Sequence, residues 1–143
     1  MRHALPRIAL VVAVLTTGCV QTQHTLLNPA AQTHPAICAD GVAMFTDSSR
    51  VGKPYEEVAL LNSTGSQAYT SEAGMLNSQR KDAAKIGANG VILQGTRDAG
   101  QGAQVASALF GTPANRRGHA LAIYVPGDST RVREACAGKP VQN

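Results

Sequence analysis

Aromatic residues are scarce in this chain of 143 residues, which has no Trp, two Phe and three Tyr. The hydrophobic core must therefore be built from Val, Leu, Ile, Ala and Met. The chain also lacks an apolar run that could cross a bilayer, because residues 8–15 (IALVVAVL) form a run of eight and a spanning helix needs about 20. The length allows one domain of modest stability and leaves little room for a second.

Motifs for catalysis are missing as well. No G-x-S-x-G pattern is present, so a hydrolase of that type lacks its nucleophile elbow. Gly100-x-Gly102 lacks the third glycine of a dinucleotide-binding loop. His119 stands alone near the start of a predicted strand, with no evident nucleophile beside it. We therefore expect a non-enzymatic protein that has no catalytic residues, no resident metal and no cofactor.

The net charge of +4 overstates the case for a polyanionic partner. Arg2 and Arg7 lie in the first 18 residues, so the remainder carries 11 basic against 9 acidic residues, or +2. The basic groups Arg80-Lys81-Lys85 and Arg116-Arg117 are typical of solvated surfaces and do not form a dense patch. We therefore expect no binding to nucleic acid.

Residues 1–18 have the parts of a secretory signal peptide, namely a basic start with Arg2 and Arg7, the apolar run, and small residues before Cys19. This boundary resembles a bacterial lipobox, although Thr16 stands where Leu is usual. The resemblance implies that Cys19 carries lipid and anchors the chain in a membrane. Val20 follows, where the family pattern of inner-membrane lipoproteins has Asp, so the implied location is the outer membrane, facing the periplasm. An ordinary secreted protein cut near Gly18 remains the alternative.

Residues 19–35 are rich in Gln, Thr, Asn and Pro and show no sustained period, which favours a flexible tether. Fully extended, it would reach about 50 Å at roughly 3.3 Å per residue. The folded domain is expected over residues 36–137, followed by a tail at 138–143.

Within the domain, the order of the predicted elements is β-β-α-β-loop-β. Strands are expected at residues 42–45, 55–61, 91–93 and 119–125, and residues 62–66 have turn chemistry. A helix is expected from Thr70 or Ser71 to about Ile86, with Gly87 as its C′ residue. A short helix that closes the domain is expected at 129–135. The predicted fold class is α+β: a small, mostly antiparallel sheet of about four strands with one main helix on one face.

Residues 97–118 are rich in glycine and contain Pro113, and residues 104–110 (QVASALF) fit either a helical turn or the tip of a long hairpin. Long irregular loops in compact domains are often functional and otherwise disordered. We interpret this loop as the candidate interaction surface. The residues that carry this prediction are Arg97, Leu109, Phe110, Arg116 and Arg117.

Cys38 and Cys136 flank the predicted domain. In an oxidising compartment two remaining cysteines are a candidate disulfide, which is the interpretation we favour. Free thiols are one alternative. Metal ligation together with His34 is another, although it would supply fewer ligands than a zinc site needs.

Two segments resemble a known family. Thr46-Asp47 followed by residues 51–58 (VGKPYEEV) resembles the strand–turn–strand opening of RcsF-like envelope lipoproteins. Residues 83–93 (AAKIGANGVIL) resemble the helix-to-strand junction that the RcsF-like and YbjQ-type families share. The resemblance covers roughly residues 42–95 and implies the fold more strongly than the function. It departs from the family at residues 67–69 and 94–96, which lack the cysteines of the two family disulfides.

Together these features predict a lipid-anchored envelope protein that acts as a protein-binding or stress-sensing module. Its expected partners are the membrane, through the N-terminal lipid, and another envelope protein of unknown identity. A structural lipoprotein without a dedicated partner and a metal- or small-ligand-binding lipoprotein are the alternatives.

Overall fold

The computed structural model describes residues 20–28 and 34–143, which form an α+β domain with one five-stranded sheet. The strands are β1 (Gln21–Leu26), β2 (Ala43–Phe45), β3 (Glu56–Ser66), β4 (Gly90–Arg97) and β5 (Asn115–Tyr124). The helices are α1 (Glu72–Lys85), α2 (Gln101–Phe110) and α3 (Ser129–Cys136). The predicted α+β class is confirmed, as is the main helix packed on one face of the sheet.

The sheet differs in detail from the expected one. Its order is β1-β3-β5-β4-β2, so it has five strands where about four were predicted. The β1–β3, β3–β5 and β5–β4 pairs are antiparallel, whereas β2 pairs with β4 in parallel. The sheet is therefore mixed, because the chain crosses from β2 to β4 by way of β3 and α1.

Strand β1 lies inside the span that was predicted to be a flexible tether, and this prediction is wrong for residues 21–26. The strand has period-two order, but the partners of its inward side chains are polar. Thr22 Oγ1 lies 2.6 Å from Ser78 Oγ on α1. His24 Nδ1 lies 2.9 Å from Asp82 Oδ2 on the same helix. Because only Leu26 among these inward residues is apolar, hydrophobic alternation could not reveal the strand.

Helix α1 begins and ends as predicted. Ser71 is the N-cap, and its hydroxyl accepts a hydrogen bond from the backbone N–H of Gly74 at 3.0 Å. Gly87 follows the helix with a φ of +74°, the left-handed conformation expected of a C′ glycine. A Cβ at this position would lie 2.4 Å from the carbonyl oxygen of His34, so only glycine fits.

The core lies mainly between α1 and one face of the sheet. Its buried members come from all of these elements and their connections: Val42, Val58, Ala59, Leu61, Ala83, Ala84, Ala88, Val91, Ala120 and Ala122. A smaller cluster on the opposite face contains Val51, Ile92, Leu121, Ile123 and Val125, with Phe45 and Tyr55 packed against it. Arg117 and His119 of β5 lie on this second face and are exposed, so part of the sheet is open to solvent.

Helix α3 is joined to the rest of the domain by a disulfide and by an arginine. Cys136, its last residue, is bonded to Cys38 across a sequence separation of 98, which confirms the favoured interpretation of this pair. Arg131 donates to the carbonyl oxygens of Gly41 at 3.1 Å and Asn89 at 3.0 Å. It also donates to Asp128 at 2.9 Å. These contacts hold the C-terminal helix beside the end of the sheet where β4 begins.

Candidate functional site

The candidate interaction loop is largely ordered secondary structure. Strand β4 continues to Arg97 and β5 already begins at Asn115, so the expectation of a long irregular loop over 97–118 is wrong. Helix α2 occupies most of the remaining connection and ends at Gly111, which has a φ of +67° and donates its N–H to the Ser107 carbonyl at 3.0 Å. Gly100 and Gly111 flank this helix as its cap residues, and Gly102 lies within its first turn.

Helix α2 has two unusual properties. It contains no charged residue, and none of its ten residues is buried. Val105, Leu109 and Phe110 are 56%, 70% and 77% exposed. At the helical period these side chains fall on one broad side, whereas Gln101, Gln104 and Ser107 fall on the other. The helix therefore presents an apolar side that nothing in the described chain covers.

The exposed apolar side chains are concentrated near α2. Across the described residues, the large hydrophobic side chains classed as exposed are Leu27, Leu60, Tyr69, Val105, Leu109, Phe110 and Val141. Three of these seven are on α2. Tyr69 follows Gln67, which bonds the segments on both sides of α2, through its backbone N–H to the Ala114 carbonyl at 2.8 Å and through its side-chain oxygen to the Ala99 N–H at 3.2 Å. One end of the molecule thus carries most of the exposed apolar groups.

The three predicted arginines have different environments. Arg116 forms an ion pair with Asp98, and its guanidinium also donates to the Thr70 carbonyl at 3.4 Å. It therefore fastens the beginning of β5 to the chain before α1. Arg97 and Arg117, in contrast, are exposed, face each other directly across the β4–β5 pair, and form no ion pair within the described residues. Two like charges in this position repel each other, and a bound anion would relieve that repulsion.

The arginine pair belongs to a row that crosses the open face of the sheet. In the strand register, Gln21 of β1 is opposite Thr64 of β3, which is opposite Arg117 of β5, which is opposite Arg97 of β4. Neighbouring strands are about 4.8 Å apart, so this row spans about 14 Å. The first described strand therefore begins at the same end of the sheet as α2.

A cavity of about 440 Å³ lies where this row meets α2. Its lining includes Arg97, Arg117, His119 and, from the helix, Ala103. His119 Nδ1 lies 2.7 Å from the Asn62 side-chain oxygen, so the imidazole is paired across the sheet with an amide. The lining also includes Asp98, whose carboxylate is paired with Arg116, so Arg97 and Arg117 are the charged groups of the cavity left without an ion pair among the described residues. The cavity is open and polar, and these two guanidinium groups suit an anionic group better than an apolar ligand.

The disulfide determines what the remaining predicted site residues can do. Because Cys38 and Cys136 are bonded to each other, neither sulfur is a free thiolate for a metal. The third candidate ligand, His34, stacks its ring on Tyr124 with 3.6 Å between ring centroids. Among residues 20–28 and 34–143, no group of three or more His, Cys, Asp or Glu is arranged to hold a metal ion.

Two further points concern attachment to a membrane. Cys19 and the predicted signal peptide are outside the described residues, so lipidation stays a prediction. No helix in the described part of the chain has the length and apolar character needed to span a bilayer.

Comparison of the chain with protein-family models, with curated proteins and with solved structures gave no match. The resemblance to RcsF-like and YbjQ-type proteins accordingly stays a prediction from the two quoted segments.

Proposed function

We propose that this chain is a non-enzymatic lipoprotein of the bacterial envelope that acts as a binding module. In this proposal, lipid on Cys19 holds it at the outer membrane, facing the periplasm, and its working surface is α2 with the adjoining arginines. The observation that carries the proposal is the uncharged helix α2, which has no buried residue and exposes Val105, Leu109 and Phe110. Exposed apolar surface of this kind is costly in water and typically marks a contact site.

The chemistry of the surface defines what it can bind. The apolar side of α2 needs an apolar surface to cover it, and the unpaired Arg97 and Arg117 need negative charge beside it. The contacting surface must therefore combine an apolar area with an anionic rim. Another envelope protein, as expected from the sequence, would have to offer a groove with that combination.

The anchor rests on the sequence before residue 20. Its support is the basic start, the apolar run of residues 8–15 and the small residues that precede Cys19. The disulfide adds support, since such bonds persist in oxidising compartments such as the periplasm.

Two measurements test this function. Intact-mass analysis of protein from the membrane fraction is expected to give a chain that starts at Cys19 and carries acyl groups. A photo-crosslinking residue at position 110 is expected to form adducts in living cells, whereas the same residue at position 27 is the matched control. Leu27 is also apolar and 44% exposed but lies beyond the other end of β1. An unacylated mass, or equal labelling at both positions, would contradict the proposal.

A further inference from the structure

We infer that the surface α2 meets is the lipid bilayer in which the chain is itself anchored, so that α2 is a second, peripheral membrane contact. This inference rests on the proposed anchor at Cys19. It identifies the apolar area with the acyl-chain region and the anionic rim with lipid phosphates.

The first argument is distance along the chain. Strand β1 begins at Gln21, and two residues span at most about 7 Å, whatever their conformation. An acylated Cys19 therefore cannot be far from the end of the sheet where β1 begins. Because β1 pairs with β3 along its whole length, the domain has no free linker between Gln21 and Leu26 that would let it move away.

The second argument is which end of the sheet that is. Gln21 shares its row with Thr64, Arg117 and Arg97, about 14 Å from end to end of the row. Helix α2 starts four residues after Arg97, and its Ala103 lines the same cavity as Arg97 and Arg117. The anchor and α2 thus lie at the same end of the molecule, whereas β1 runs about 20 Å away from it at 3.4 Å per residue.

The third argument is chemical. Helices that lie in a membrane interface have an apolar side with Phe and Leu, a polar side and basic residues nearby. Helix α2 offers Val105, Leu109 and Phe110 on one side and Gln and Ser on the other. Tyr69, 75% exposed at the same end, is of the type that is enriched at membrane interfaces.

The charges near α2 agree with an anionic surface. The acidic residues at this end are Asp98, which is paired with Arg116, and Glu72, which begins α1 on the covered face of the sheet. Arg97 and Arg117 remain unpaired on the open face. Guanidinium groups bind phosphate oxygens through two parallel hydrogen bonds, so two neighbouring lipid phosphates would satisfy this pair.

The absence of Trp from the sequence permits a direct test with the complete lipoprotein. Phe110→Trp places a single fluorophore on α2, and Leu27→Trp places one at the opposite end of β1. Each purified lipoprotein is reconstituted into vesicles of phosphatidylethanolamine and phosphatidylglycerol that contain brominated acyl chains. Cosedimentation with the vesicles is measured on the same samples.

The expected result is a blue-shifted emission for Phe110→Trp, with quenching by brominated chains several-fold stronger than for Leu27→Trp. In the Phe110→Trp background, Arg97→Gln with Arg117→Gln is expected to weaken that quenching. Equal quenching of both single-Trp proteins on vesicles that do carry the lipoprotein would overturn the inference and leave the anchor intact. Protein that fails to cosediment would overturn both the inference and the anchor. A blue shift of the Phe110→Trp emission that appears only when another protein copurifies would show that α2 binds a groove of that protein instead of the bilayer.

Discussion

The disulfide between Cys38 and Cys136 is expected to supply a large part of the stability of this domain. The perturbation is the double substitution Cys38→Ala with Cys136→Ala. Alanine is preferred to serine because Cys38 is only 2% exposed, and a buried hydroxyl without a partner would add its own penalty. The variant therefore reports the effect of the covalent link together with the loss of two sulfur atoms, of which the one in Cys38 is buried.

The magnitude follows from the separation of 98 residues between the two cysteines. Closing a loop of this size in the unfolded chain removes entropy equivalent to about 4–5 kcal/mol at 25 °C. Domains of this size are stable by about 5–15 kcal/mol in total. Loss of the link should thus remove between a third and nearly all of the free energy of unfolding.

The assay is urea denaturation followed by circular dichroism in the far ultraviolet. The variant is expected to unfold at lower urea concentration and with a steeper slope, because an unfolded chain without the link exposes more surface. Treating the wild-type protein with a reductant should reproduce the variant, whereas the variant itself should not respond to reductant. A loss below about 1 kcal/mol would refute the entropic reasoning, since the loop-closure value is several times larger. Two free thiols at positions 38 and 136 of the unreduced protein would refute the bond.

Four further substitutions test the backbone conformation, the buried hydrogen bonds and the ion pairs that position the sheet. Gly87→Ala should lower the free energy of unfolding by about 2–5 kcal/mol, because it combines left-handed backbone strain with a clash against the backbone of His34. Gly52 also has a positive φ, of +65°, but has open space around it, so Gly52→Ala should cost only about 1–2 kcal/mol in the same urea assay. Asn89→Ala should cost about 2–4 kcal/mol by thermal or urea unfolding, because the Asn89 amide bonds both the N–H and the carbonyl of Val125, at 2.7 and 2.9 Å. The hydrogen bond from the Lys53 ammonium, and after it the one from Arg131, lowers the pKa of Asp128. The ionised Asp128 therefore stabilises the fold above the ordinary carboxyl pKa of about 4, and this stabilisation is lost as the pH falls through the lowered pKa. Asp128→Asn should flatten this acid limb of a stability–pH profile.

These substitutions also show where sequence reasoning succeeds. The limits of α1 could be predicted because Ser71 and Gly87 act through their own backbone and near neighbours. The disulfide could be predicted because only two cysteines remain once Cys19 is set apart. Signals of this kind are local or countable, and need no knowledge of the tertiary structure.

Other features depend on partners that are far away in sequence. Residues 62–66 have turn chemistry, yet they belong to β3, because Gln79 of α1 donates to the Ser63 hydroxyl at 3.0 Å and Gly65 lies under Thr70. Asn89 looks like a turn residue, yet it is buried and holds the end of β5. The polar inward side of β1 is concealed in the same way.

The candidate site was predicted in part. The apolar pair Leu109-Phe110 stood out in a glycine-rich segment, and both side chains are exposed. Val105 was overlooked, although its spacing of four from Leu109 is a helical signal. The ion pair of Arg116 with Asp98, and hence the contrast with Arg97 and Arg117, depends on strand register, which the sequence does not specify here.

The strand order has a consequence for how the protein is made. The central strand β5 is the last to leave the ribosome, and until it arrives β1–β3 and β2–β4 are separate pairs with no strand between them. Cys136 follows β5 in the sequence and cannot meet Cys38 before then. If the chain is secreted, as proposed, it would therefore stay unfolded and without its disulfide while it passes through the secretion channel. Its folding and its oxidation would become possible together, once the segment from Cys38 to Cys136 has crossed.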